Sequence, residues 1–193
     1  GVEDVVSFLV THRHADAPIS IAVHEVDNAR LHPPIPHFSG TALTYRLLQE
    51  RSLLQKHSHV QYIPGWHDEY TGMNSLNEME GLIRYCREQN ITTLIVVSLP
   101  FHLPRCFWSA LSVASRLYPQ LDIYAQAASP PRDPHYWNHV VAHSQGILVG
   151  ARHDLIRSEL QRIVQYTKQG DLIPVAQALE ILQARDQGKS LPS

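Results

Sequence analysis

The stretch Ser98-Leu99-Pro100-Phe101-His102-Leu103-Pro104-Arg105 holds the residues best equipped for chemistry in this sequence. A histidine titrates near neutral pH, so His102 can serve as general acid or base or hold a ligand oxygen. Arg105, three residues on, offers a planar fork of donors that matches a phosphate or carboxylate bidentately. Pro100 and Pro104 limit the backbone between them, which suits a preorganised site and equally an ordinary strand-to-helix corner with a hydrogen-bonded turn histidine.

A second group, Asn74, Ser75, Asn77 and Glu78, stands where a helix should begin. Unpaired N–H groups and the positive end of the helix dipole make such a start an anion site. The same residues read as an ordinary cap, with Asn74 or Ser75 capping and Glu78 completing a capping box.

The rival signal is metal binding, because the chain has 13 histidines. His12 and His14 are separated by one residue, and His135, His139 and His143 repeat every four residues along one face of the segment 135–169, which reads as largely helical. The nearest carboxylates, Asp16 and Asp133, have no diagnostic spacing, so no metal ligand is assigned. His143-Ser144-Gln145-Gly146 lacks the leading glycine and preceding strand of a nucleophile elbow. Cys86 and Cys106 sit where small apolar helix residues would be buried, which points to packing rather than thiol chemistry.

These residues need elements to hold them. Thr93-Leu94-Ile95-Val96-Val97-Ser98 is β-branched and apolar on both faces, the pattern of a central strand in a parallel sheet. Before it, residues 75–89 carry Leu76, Met79, Leu82, Ile83 and Cys86 at helical spacing, with Asn90 to stop them. After it, residues 105–117 form an apolar helical stretch that ends before Pro119. The alternation recurs as a short strand at 35–38, a Ser39-Gly40 turn, a helix at 41–56, a strand at 60–63 and another at 121–125. Residues 5–10 and 19–26 both read as strands, and residues 1–34 are the least legible. Asp171-Leu172-Ile173-Pro174 opens a final helix to about Arg185, and residues 187–193 read as frayed.

Strands alternating with helices of 10 to 15 residues predict a single domain over residues 1–193. Its class is α/β: a Rossmann-like, doubly wound, mostly parallel sheet flanked by helices, with extra C-terminal helices. In such a sheet the ligand crevice lies beyond the carboxyl ends of the strands, so Ser39, Gly40 and Ser98 to His102 would line one edge.

Composition narrows the classes. Sixteen basic against eighteen acidic residues, with no basic block, disfavour nucleic acid as a partner. No apolar run reaches the length of a membrane span, and Gly1-Val2-Glu3-Asp4 lacks the features of a signal peptide. Two cysteines fit a reduced, cytoplasmic chain, unless an anchor precedes Gly1.

Gly72-Met73-Asn74-Ser75-Leu76-Asn77-Glu78, followed after one helix and strand by Val97 to Arg105, resembles the YdcF-like, SanA-type and ElyC-type proteins, domain of unknown function 218. In that family an Asn-Thr-x-Glu-Asn-like segment opens a helix, the next strand ends in a Thr-Ser turn, and a His-x-x-Arg pair follows. Asn74, Asn77, Glu78, Ser98, His102 and Arg105 match by position, and Phe38-Ser39-Gly40 is similar to the family's Ser-Gly turn. The likeness covers residues 36–124, with looser agreement near Glu159 to Tyr166. The family's glycine-bearing loop after the first strand has no clear equivalent here. The resemblance implies an α/β fold with a cleft at the strand ends, envelope functions in some members and S-adenosylmethionine binding in at least one.

The expectation is therefore a small-molecule-binding domain for an anionic or nucleotide-like ligand, with transfer or hydrolysis as the reaction class if it is an enzyme. Ser39, Gly40, Asn74, Asn77, Glu78 and Ser98 bind, His102 moves a proton and Arg105 stabilises charge. Two alternatives stand beside it: a noncatalytic protein-interaction domain and a histidine-rich metal-binding protein. Leu172, Ile173, Val175, Ala178, Leu179, Ile181 and Leu182 form an apolar surface that must pack on the domain or on a second copy, so a homodimer through the C-terminal helices is a further expectation.

Overall fold

A computed structural model describes residues 19–24, 58–63, 75–127, 134–143 and 148–188. In chain order these form β1 (Ile19–His24), β2 (Ser58–Ile63), α1 (Ser75–Glu88), β3 (Thr93–Ser98) and α2 (Leu103–Leu117). After them come β4 (Asp122–Ala127), a 3-10 turn (Tyr136–Asn138), β5 (Val140–His143), β6 (Leu148–Ala151), α3 (Arg152–Gln169) and α4 (Val175–Asp186). The expected elements at 5–10, 35–38 and 41–56, the turn at Ser39 and Gly40, and residues 189–193 lie outside the described residues.

The architecture is mixed α/β. β1 pairs with β2 in parallel from Ile19↔Ser58 to His24↔Ile63, and β3 pairs with β4 in parallel from Thr93↔Asp122 to Ser98↔Ala127. The β3–α2–β4 segment is thus a crossover unit, whose helix returns the chain to start the next strand in the same direction. Among the described residues β4 is the one ladder neighbour of β3, where a central strand has two.

The α1 periodicity works as read: Met79, Leu82, Ile83 and Cys86 are buried, and Asn90 ends the helix in the left-handed region at φ 55°. α2 begins two residues earlier than its apolar pattern implies, because Pro104 falls in the first turn, where a missing N–H costs nothing. Its buried Cys106, Ala110, Leu111, Val113 and Ala114 form the centre of the core against α1, with Val96 of β3 and Ile123 of β4.

The helical reading of residues 135–151 is wrong. Val140–His143 and Leu148–Ala151 are antiparallel strands, paired Val140↔Ala151 to His143↔Leu148, and α3 starts only at Arg152. Paired valines favour a strand, and Gly150 inside a helix would cost about 1 kcal/mol. The histidine spacing consequently loses its meaning: His135 precedes the 3-10 turn, His139 follows it, and His143 is on β5.

α3 ends at Gly170, whose φ of 85° is open to glycine, with the Asp171 N–H donating to the Tyr166 carbonyl at 3.0 Å. The chain then returns to the core. The Trp108 indole N–H donates to the Ile173 carbonyl at 2.9 Å, and the Ile173 N–H donates to Ser112 Oγ at 3.0 Å. Leu172, Ile173 and Ala178 are buried, and Ile181 and Leu182 pack against the same cluster, so much of the terminal apolar surface is covered by the domain itself. Val175 and Leu179 stay exposed. Among the described residues no helix is long and apolar enough to cross a membrane.

Candidate functional site

The carboxyl end of β3 runs into a tight turn in which the His102 and Leu103 N–H groups both donate to the Leu99 carbonyl at 2.9 Å. This turn makes His102 the N-cap of α2, with helical backbone angles. Arg105, three residues further, therefore lies on the same side of the helix start. Phe101, 1% exposed, anchors the turn in the interior.

The two side chains converge on a carboxylate the sequence did not single out. Glu159, in the middle of α3, is fully buried and sits on the helix stripe otherwise made of Leu155 and Ile163. Its Oε2 accepts from Arg105 Nε at 2.6 Å and lies 2.7 Å from His102 Nδ1. Arg105 Nη1 donates to Ser75 Oγ at 2.9 Å, which ties the first residue of α1 to the same point. Arg162, one turn along α3, places Nη1 3.9 Å from Glu159 Oε1. One guanidinium thus links α1, α2 and α3.

The electrostatics follow from this geometry. A charge with no exposure to water is tolerated only when it is paired and hydrogen-bonded, and Arg105 does both for Glu159. Arg105 Nη2 also comes within 3.5 Å of His102 Nδ1, but a nitrogen that donates to a carboxylate at 2.7 Å cannot accept from a guanidinium at once. Nδ1 is thus placed to donate to Glu159 rather than to accept from Arg105.

Glu78, partly buried on the first turn of α1, is the second titrating group. Burial pushes its carboxyl from the ordinary 4.5 up to about 7, against the opposing pull of Arg105. It stands poised between acid and base at neutral pH. Among the described residues two guanidiniums, Arg105 and Arg162, stand against one buried carboxylate, Glu159, at 2.6 and 3.9 Å.

Of the residues expected at the site, His102 and Arg105 are brought into direct contact with a common partner. Glu78 is close enough to feel Arg105. Ser98, at the end of β3, accepts a hydrogen bond from the Cys106 thiol at 3.7 Å. Asn77 is partly buried on the first turn of α1. Ser39, Gly40 and Asn74 lie outside the described residues. Arg105 itself is enclosed rather than open, so it acts on the site first through Glu159 and Ser75.

Glu159 and Arg162 were missed. The signal available was a glutamate on the i, i+4, i+8 stripe Leu155-Glu159-Ile163, where a solvated acid does not belong. Cys86 and Cys106 are free and buried, and burial pushes both thiols up to about 11, in line with a packing role. Among the described residues no three His, Cys, Asp or Glu side chains gather in a way that could hold a metal ion. His12, His14, Asp16 and Asp133 lie outside them.

No family model, curated protein or solved structure matches this chain.

Proposed function

We propose that this domain binds a small anionic or nucleotide-like ligand where the carboxyl end of β3 meets the first turn of α1, and that His102 exchanges a proton with it. The observation that carries the reading is the contact of His102 Nδ1 with the buried Glu159 carboxylate at 2.7 Å. A histidine backed by a carboxylate on one nitrogen is equipped for proton transfer on the other. The start of α1, the positive end of its helix dipole, lies beside Arg105 and favours a negatively charged ligand. Glu78 supplies a second proton carrier in the same region.

The full reading places β1–β2 and β3–β4 in one doubly wound sheet, with the site at its carboxyl edge and Ser39, Gly40, Asn74, Asn77 and Ser98 as further ligand contacts. The parallel ladders of both pairs support it. The resemblance to domain of unknown function 218 adds S-adenosylmethionine as one candidate ligand, alongside nucleotides and sugar phosphates. If the domain is an enzyme, transfer or hydrolysis at such a ligand is the reaction class, since the group orients and moves protons but holds no redox apparatus of its own.

A thermal-shift panel of these compounds on the wild type and His102→Ala tests the reading. A stabilisation by one anionic compound that the substitution weakens supports it, because a ligand that prefers the folded state raises the midpoint. No shift with any of them would overturn it.

A second reading, an interaction domain that forms a homodimer, has one observation in its favour. Leu160 and Val164 on α3 and Val175 and Leu179 on α4 are each more than half exposed, in i, i+4 pairs. Sedimentation at several concentrations decides it, and a concentration-independent monomer excludes the dimer.

A further inference from the structure

We infer that Glu159 is a positioning residue that locks the neutral His102 ring in the tautomer with the proton on Nδ1, which makes Nε2 the proton-accepting atom of the ring. This rests on the ligand reading above and narrows it: the group that comes to His102 must bring an O–H or N–H proton to give up, as water, an alcohol or an amine does.

The argument starts from Glu159 Oε2. Arg105 Nε–H donates to that oxygen at 2.6 Å, and a guanidinium has no other role to take. The second oxygen faces the Arg162 guanidinium at 3.9 Å. Two cations on one fully buried carboxyl hold it ionised, so Oε2 can only accept. His102 Nδ1, 2.7 Å from the same oxygen, must then be the donor. The alternative tautomer would set a lone pair against an anionic oxygen at that distance, a repulsion that the 3.5 Å approach of Arg105 Nη2 does not offset.

The proton balance is simple. The ligand O–H or N–H bond breaks, its proton goes to Nε2, and the electron pair stays on the ligand heteroatom. The imidazolium that forms is neutralised by the charge already waiting on Glu159, with no side chain required to move. Arg105 in turn fixes the carboxylate by holding it to Ser75 and α1, so the ring orientation is set from three helices at once.

The test needs no ligand. In protein labelled with 15N-histidine, long-range 1H–15N correlations at pH 8 report which ring nitrogen bears the proton, and the His102→Asn spectrum identifies the His102 signals by their loss. The expected result is a single Nδ1–H tautomer in the wild type. In Glu159→Gln the side-chain amide can either accept from or donate to Nδ1, so both ring nitrogens should move to averaged shifts, and Glu159→Asp should restore part of the bias.

An Nε2–H tautomer in the wild type, or an unchanged spectrum in folded Glu159→Gln, would overturn the inference. If Glu159→Gln does not fold, the wild-type tautomer alone decides. The ligand reading fails separately, on the thermal-shift panel, so a fixed Nδ1–H with no ligand response would sink that reading and leave the positioning role standing.

Discussion

Replacing Arg105 by Ala strands the Glu159 carboxylate in the interior. Glu159 has no exposure, and among the described residues Arg105 is its near cation, at 2.6 Å against 3.9 Å for Arg162. Removing one member of a buried ion pair costs about 3 to 5 kcal/mol, because the other charge has lost its compensation. That is a large part of the roughly 5 to 15 kcal/mol that holds a domain together. In a chain of this size each kcal/mol moves the thermal midpoint by about 2 to 4 °C, so a fall of about 6 to 20 °C is expected. Urea unfolding with Arg105→Ala, Glu159→Gln and the double variant measures the coupling. The double variant should be more stable than Arg105→Ala alone, since it no longer buries a charge. The deficit of Arg105→Ala should also shrink on acidification, because a stranded buried carboxyl takes up a proton more readily folded than unfolded, and that contribution is lost as pH rises. A loss below about 1 kcal/mol, or no recovery in the double variant, would refute the account of Arg105 as the counter-charge of Glu159.

Three other outcomes follow from the structure. Glu78, raised to about 7, favours the fold below its ordinary 4.5 and loses that contribution as pH rises through 7. Glu78→Gln should therefore stabilise the protein at pH 8 by about 1 to 3 kcal/mol and gain nothing at pH 4, and equal effects at both would count against its burial. Ser112→Ala removes the acceptor of the buried Ile173 N–H, and a loss of about 1 to 3 kcal/mol in urea unfolding is expected; no change would mean that the bond does not tether the entry to α4. Cys86 and Cys106, held protonated by burial, should resist iodoacetamide at pH 8 in the folded protein and react in urea, and rapid labelling of either in the folded state would contradict their place in the core.

What could be read from the sequence tracks how each element is stabilised. α1, β3 and α2 announce themselves because each buries one face, so the core requirement is written as periodicity in Met79, Leu82, Ile83 and Cys86 and in the run from Leu94 to Val97. His102 and Arg105 could be paired from their spacing, since three residues at a helix start bring side chains to one side. Their partner could not, because Glu159 lies 57 and 54 residues away and a lone glutamate on a helix ordinarily marks a solvated face. The segment at 135–151 misled for a different reason. Histidines every four residues imitate helical order, whereas the pairing of Val140 and Val141 with Gly150 and Ala151 is a non-local preference that no short window contains.

The distance between His102 and Glu159 along the chain has a consequence for how the protein comes into being. A ribosome adding about 5 to 20 residues per second needs about 3 to 11 s to travel the 57 residues that separate them. During that interval α1 and β3 already exist and α2 is completed, while the carboxylate that orients the imidazole has yet to be synthesised. The nascent chain is thus born without its dyad, and His102 and Arg105 must wait beside an empty place that only the C-terminal third can fill.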